Sequence, residues 1–219
     1  SVISWKSLQF QPYFTATASN IGYGWWSHDI GGHTHGKRDD ELQTRWLQFG
    51  VFSPILRMHS TSNPFNGKEP WRYGPEVCGI MTAFLRLRHR LLPYLYSMNW
   101  RCHSLGEPLI QPMYYAWPRE DAAYQVPNEY LFGNQLIAVP ITSPMSPELR
   151  LASADAWLPD GLYHDLFTGT IYHGGGRRRL YRAQFLRPWR FLCLWARMAR
   201  LISMRTTERQ TVMPRANTC

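Results

Sequence analysis

The sequence predicts an α/β protein: the last strands and helices of a parallel (β/α)8 barrel, followed by an appended β domain. Three observations carry that prediction. Apolar stretches and helical periodicities alternate through residues 1–106 in the order strand, helix, strand, long helix, as in consecutive barrel units. After Gly106 the texture changes to short apolar runs, such as Leu109 to Met113 and Leu136 to Val139, separated by Pro, Gly and Asn turns. A hydrophobic fraction of 44% with 15% aromatics belongs to a chain that builds a core.

Residues 1–24 read as a helix or loop that leads into a strand approach through Ile21-Gly22-Tyr23-Gly24. Asp39-Asp40-Glu41 then open an apolar-periodic segment, Leu42, Trp46, Leu47 and Phe49, which ends at Gly50. Carboxylates there suit the positive end of a helix dipole. Past Ser53-Pro54, the run Ile55-Leu56-Arg57-Met58-His59 has the length and flanks of a short buried strand. A polar loop from Ser60 to Lys68 follows. The longest helical signal spans about Pro75 to Ser104, with Ile80, Phe84, Leu87, Leu91, Leu95 and Met98 recurring at three and four residues. Pro93 predicts a kink in it, and Gly106 a stop.

The net charge of +9 is an average of two compositions: residues 1–176 hold 13 Lys/Arg against 14 Asp/Glu, residues 177–219 hold 11 Arg and one acid, Glu208. Whole-chain charge therefore gives no ground for a nucleic-acid partner. Arg and Pro interrupt the apolar runs, so no membrane span is expected. The four cysteines, Cys78, Cys102, Cys193 and Cys219, form no C-x-x-C pair, and we expect free thiols in a reducing cytoplasm.

The stretch Trp25-Trp26-Ser27-His28-Asp29-Ile30-Gly31-Gly32-His33 concentrates the chemistry. Asp29 lies at a strand end, where it either accepts charge-assisted hydrogen bonds from a substrate or organises the turn that follows. Of Trp25 and Trp26, at most one faces any pocket, because adjacent strand residues point oppositely. His28, His33, His35 and His59, with Asp29, raise a metal hypothesis, but H-x-x-x-x-H-x-H matches no common ligand spacing, and no metal is expected. His28 reads as structural, His33 and His35 as rim residues. Arg57 and His59 alternate along one strand and so share a side, near the barrel mouth. Glycoside hydrolysis usually needs two carboxylates flanking one bond. Asp29 is one strong candidate, Asp39 and Asp40 already serve a helix start, and the residues alone fall short of that pair.

The segments FQPYFTATASNIGYGWWSHDIGGH, DDELQTRWLQFGVFSPILRMHS, GKEPWRYG, LRLRHRLLPYLYSM, GEPLIQPMYY and YLFGNQLIAVPITSP closely resemble glycoside hydrolase family 31, from about Ser1 to Arg182. The resemblance implies a catalytic (β/α)8 barrel followed by β-sandwich domains, and a retaining α-glycosidase. Residues 1–106 are then the C-terminal part of the barrel, 107–182 the start of a β-sandwich and 183–219 a basic tail. By the same resemblance, Asp29 of the D-I-G-G motif and His59 of the R-x-H motif bind sugar hydroxyls in the −1 subsite. Trp26 and His33 join them as substrate-binding residues. His33 stands where the family often has Phe, which leaves the rim chemistry and the preferred sugar open. Arg45, Trp46 and Arg57 match motif positions read as structural support. The family's nucleophile and acid/base carboxylates belong to a W-x-D-M-N-E-like motif and a G-D pair, neither of which occurs in these 219 residues.

The expectation is therefore a piece of a cytoplasmic retaining α-glycosidase acting on terminal α-linked glucose or a related sugar in oligosaccharides. It has no cofactor and no nucleic-acid or membrane partner, and the 219 residues alone are expected to be inactive. A noncatalytic carbohydrate-binding remnant is the alternative, and a metal-dependent hydrolase a weaker one. From about Ala183 the family pattern gives way to AQFLRPWRFLCLWARMARLISMRTTERQTVMPRANTC, which we read as out-of-frame translation. The competing reading is a basic amphipathic segment from Phe185 to Met204.

Overall fold

The computed structural model describes residues 1–183 and 193–197. The first half is helical. A two-residue strand β1, Val2–Ile3, leads into α1, Trp5–Thr17, whose first turn is capped by the Ser4 hydroxyl accepting from the Ser7 amide at 3.2 Å. After an irregular stretch, β2, Thr34–Gly36, pairs in parallel with β1. Helix α2, Asp40–Val51, starts where the acids predict, with the Asp39 carboxylate accepting from Leu42 N at 2.9 Å.

The long helical signal resolves into two helices, α3, Pro75–Arg90, and α4, Leu92–Leu105. Pro93 has no N–H for the preceding turn, so the ladder breaks at Leu91 and restarts with proline in its first turn. Gly106 ends α4 in the left-handed region, at φ 70°.

Two expected strands are absent. Ile21–Gly24 is the end of a 3₁₀ turn and a loop. Residues 55–59 are irregular and only partly buried. A single backbone bond joins this run to the Asp29 segment, Ile30 N to Arg57 O at 3.2 Å. One bond aligns two segments but makes no ladder, so neither is assigned as a strand.

The second half is β structure in two sheets. Strands β3 (Ile110–Pro112), β4 (Tyr130–Phe132), β5 (Leu136–Val139), β6 (Leu151–Leu158), β7 (Leu162–Asp165), β8 (Ile171–His173), β9 (Gly176–Ala183) and β10 (Cys193–Arg197) follow one another. They form a six-stranded antiparallel sheet in the order β3-β4-β5-β10-β7-β8, and a β6-β9 pair. Within the basic tail, β10 therefore pairs on both sides, with β5 and with β7. Residues 184–192 and 198–219, where the rest of the tail expectation falls, lie outside the described residues.

Strand β5 explains its own apolar run. Leu136 and Ala138 face a core shared with the helices, and Ile137 and Val139 face a core shared with β6 and β9. A strand buried on both faces has no polar alternation. Tyr130 and Phe132 likewise join the helical core, where Trp46, Phe49, Phe52 and Met81 are fully buried. Hydrogen bonds reinforce this seam: Tyr130 Oη donates to Phe52 O at 2.8 Å, Tyr94 Oη to Phe132 O at 2.8 Å and Ser19 Oγ to Ile110 O at 2.6 Å.

Candidate functional site

The Asp29 segment is positioned from beneath by His28. Its ring is 3% exposed and stacks on Phe49 with centroids 4.5 Å apart. Trp46 Nε1, which can only donate, meets His28 Nδ1 at 3.0 Å, so Nδ1 is the acceptor. His28 Nε2–H then donates to Ser53 Oγ at 2.8 Å, and Ser53 donates to Phe49 O at 3.0 Å. Burial pushes this imidazole down to about 3, which keeps it neutral. The expected structural role of His28 is thus a chain of bonds that ties the Asp29 segment to α2.

Asp29 is turned outward by the same alternation that buries His28 and Ile30. Gly31 and Gly32 follow, with φ of 84° and 82°. They reverse the chain, so that Gly32 N donates to Asp29 O at 2.8 Å and His33 returns beside Asp29. A Cβ on Gly32 would lie 2.7 Å from Ile3 Cα, and one on Gly31 1.8 Å from Gln43 Oε1. Left-handed backbone and lack of space both require glycine here. The Asp29 backbone thus organises the turn, while its carboxylate points away from it, toward Arg57 and His33.

Arg57 Nη2 donates to Asp29 Oδ1 at 2.7 Å. The second oxygen, Oδ2, lies 3.7 Å from His33 Nδ1 and 3.5 Å from the Ser1 amine. The His33 and His59 rings face one another at 4.6 Å. Asp29, His33 and His59 each offer a ligand atom, all within 4.8 Å of one another, so these three residues are where a cation could sit. Of the four histidines in the metal hypothesis, the structure brings His33 and His59 to Asp29, whereas His28 is buried beneath and His35 is outside this set.

Lys68 locks the arrangement. It is 5% exposed, and its Nζ donates to Gly32 O and, at 2.6 Å, to His59 O. One ammonium thereby joins the glycine turn to the segment carrying His59. Burial lowers its pKa to about 8, against the raising influence of Asp29. Behind the same segment, Arg88 donates to Val51 O and Ser53 O at 2.7 Å and to Pro54 O at 2.8 Å, pinning the exit of α2. Neither Lys68 nor Arg88 stood out in the sequence; their positions inside GKEPWRYG and LRLRHRLLPYLYSM were the available signals.

The structure places the remaining candidates less centrally. Trp26 packs between Phe14, at 4.6 Å, and Tyr23, at 5.9 Å, and its buried indole N–H has no hydrogen-bond partner among the described residues. Trp25 is the exposed member of the pair, at 47%. His35 is in the left-handed region with φ 55°, on β2. Arg45 is buried in α2, 3.7 Å from Glu41, whose carboxylate also accepts from Met145 N at 3.0 Å.

Two family descriptions match the chain in order. The glycosyl hydrolases family 31 TIM-barrel domain covers residues 1–98, and the glycosyl hydrolase family 31 C-terminal domain covers residues 106–204. The chain belongs to glycoside hydrolase family 31. It thus comprises part of the family's barrel and of its C-terminal domain, and the match to the latter continues past Arg182. Among curated family 31 relatives, an alpha-xylosidase of Saccharolobus solfataricus is 32% identical over 177 residues, covering 78% of this chain and 23% of the relative. Alpha-glucosidase 2 of Bacillus thermoamyloliquefaciens is 32% identical over 171 residues, 78% of this chain and 21% of the relative. The chain therefore spans about a fifth of the length of these relatives. A solved family 31 α-xylosidase from a soil metagenome, complexed with xylose, superposes with a TM-score of 0.77 at 27% identity, covering 92% of this chain and 32% of that one. A Flavobacterium johnsoniae family 31 dextranase complexed with isomaltotriose gives 0.76 at 26% identity, covering 89% and 23%. No helix among the described residues is long and apolar enough to cross a membrane.

Proposed function

We propose that these residues are the sugar-binding part of a retaining α-glycosidase acting on terminal α-linked glucose or xylose units of oligosaccharides. Asp29 and His59 accept and donate hydrogen bonds to the hydroxyls of the sugar next to the scissile bond. His33 forms the rim, and Trp26 forms the aromatic floor with Phe14 and Tyr23. The nucleophile and the acid/base carboxylate are supplied from outside these 219 residues. The observation that carries this reading is the convergence of Asp29 Oδ2, His33 and His59 on one accessible spot, while Arg57 and Lys68 hold the backbone and the other oxygen. Charged acceptors held rigidly by their neighbours are what recognition of sugar hydroxyls requires. The α-glucosidase and α-xylosidase relatives support the substrate class.

Aryl α-glucoside and α-xyloside assays test the proposal. The 219-residue chain is expected to hydrolyse neither. In an enzyme carrying these residues together with both carboxylates, Asp29→Ala is expected to lower kcat/KM by about 10²- to 10³-fold, the size of a lost transition-state hydrogen bond. Near-normal kinetics in that variant would overturn the assignment of Asp29.

A further inference from the structure

We propose that Asp29, His33 and His59 also form a site for one divalent transition-metal ion of the zinc class, and that this ion and a sugar exclude one another there. The donor set is two imidazoles and one carboxylate, which suits zinc and its borderline neighbours and leaves positions open for water. Asp29 is already divided for the purpose, with Oδ1 held by Arg57 at 2.7 Å and Oδ2 turned to His33.

Distances favour it as well. A tetrahedral ion with metal–ligand bonds of about 2.0–2.1 Å spaces its ligand atoms about 3.4 Å apart. The Asp29–His33 pair is at 3.7 Å, and all three ligand atoms lie within 4.8 Å. His59 is the exposed member of the set, so its ring can turn the remaining distance without breaking core packing. The backbone behind the ligands is already fixed, since Lys68 holds the carbonyls of Gly32 and His59. Ligands that are oriented before the ion arrives lose little freedom on binding it. Arg57 and Lys68 place positive charge nearby, so the site is weaker than a structural zinc site of full charge complementarity.

The exclusion rests on the sugar-binding reading given above. An ion on Asp29 Oδ2 and His59 occupies the lone pairs that would otherwise meet sugar hydroxyls. His33 is the determinant, because an aromatic residue without a donor nitrogen would leave only two ligands.

Cobalt titration of the chelator-treated 219-residue chain tests the site, followed by visible absorption and by calorimetry. One equivalent of Co²⁺ with the intense bands of four- or five-fold coordination is expected. His33→Phe and His59→Gln should each weaken it on the order of 100-fold, and His103→Gln, on the exposed end of α4, should not change it. Circular dichroism checks that the variants fold; if His33→Phe does not, His59→Gln and the count of nitrogen ligands by X-ray absorption decide. Absence of the bands, or an affinity indifferent to both substitutions, overturns the site. Glucose and xylose binding are measured with and without Zn²⁺. Simultaneous binding overturns the exclusion, whereas no sugar binding to the metal-free chain defeats the sugar reading and leaves the metal result standing.

Discussion

Arg57 and Asp29 meet at 2.7 Å across 28 positions of sequence, and that contact holds Oδ1 while Oδ2 stays turned toward His33. The guanidinium is 49% exposed, so the pair adds little to stability, about 0–1 kcal/mol at most. Its consequence is orientation. Arg57→Leu should leave the melting temperature within a few degrees of the parent while raising the dissociation constant for glucose or xylose by about tenfold, a change worth roughly 1.4 kcal/mol. Calorimetry together with thermal unfolding separates the two; equal losses in both would mean that Arg57 is only structural.

Lys68→Met should do the opposite. It strands two carbonyls, Gly32 O in a buried place and His59 O in a partly buried one. An unpaired buried polar group costs about 1–3 kcal/mol, so a clear fall in the urea midpoint is expected along with weaker sugar binding. A midpoint unchanged from the parent would show that water replaces the ammonium.

Gly32→Ala places a methyl group 2.7 Å from Ile3 Cα on a backbone at φ 82°. The neighbour is main chain of β1, which has no rotamer to yield. Strain at such a position is about 1–3 kcal/mol before any clash is counted. Denaturant unfolding should show at least that loss, and Gly22→Ala, with nothing near its Cβ, should show less.

Two buried groups predict how stability follows pH. His28 has its pKa lowered from 6.5 to about 3, so the unfolded chain binds the extra proton first. Its contribution is complete above pH 6.5 and is lost as pH falls from there toward 3, at up to about 1.4 kcal/mol per pH unit. Glu129 is 2% exposed, accepts from Trp157 N at 2.8 Å, and is pushed up by burial to about 8. Here the folded state holds the proton longer, so stability declines as pH rises from 4.5 to 8. Glu129→Gln should flatten the second slope and leave the first. Urea midpoints measured from pH 4 to 8 check this, and an unchanged slope in the variant would contradict it.

Arg88→Lys is expected to behave nearly as badly as Arg88→Met. The guanidinium fork reaches three carbonyls, Val51, Ser53 and Pro54, which a single ammonium on a flexible stem does not span. Full rescue by lysine, read from the unfolding midpoint, would show that charge and not geometry matters there.

Much of this was legible in the residues themselves. Asp39 marked the start of α2 because a cap is a local contact, and Pro93 marked the break at Leu91 because proline's missing N–H is also local. The run Ile55 to His59 has the length and flanks of a buried strand but is partly exposed and irregular, because a strand needs partners that no window reveals. Leu136 to Val139 did become a strand because it found one neighbour on each side, β4 and β10.

The same division holds at the site. Sequence alone determined the residue types, the glycine turn after Asp29, and the family to which these motifs belong. Only the tertiary structure decided that Arg57 takes one oxygen of Asp29, that His59 comes to face His33, and that Lys68 joins the two backbones. These contacts link residues 9 to 36 positions apart, and their existence depends on packing of α2 and α3 against the sheet. A motif specifies which groups are available, and chain folding brings distant ones within bonding distance because helix and sheet share one core.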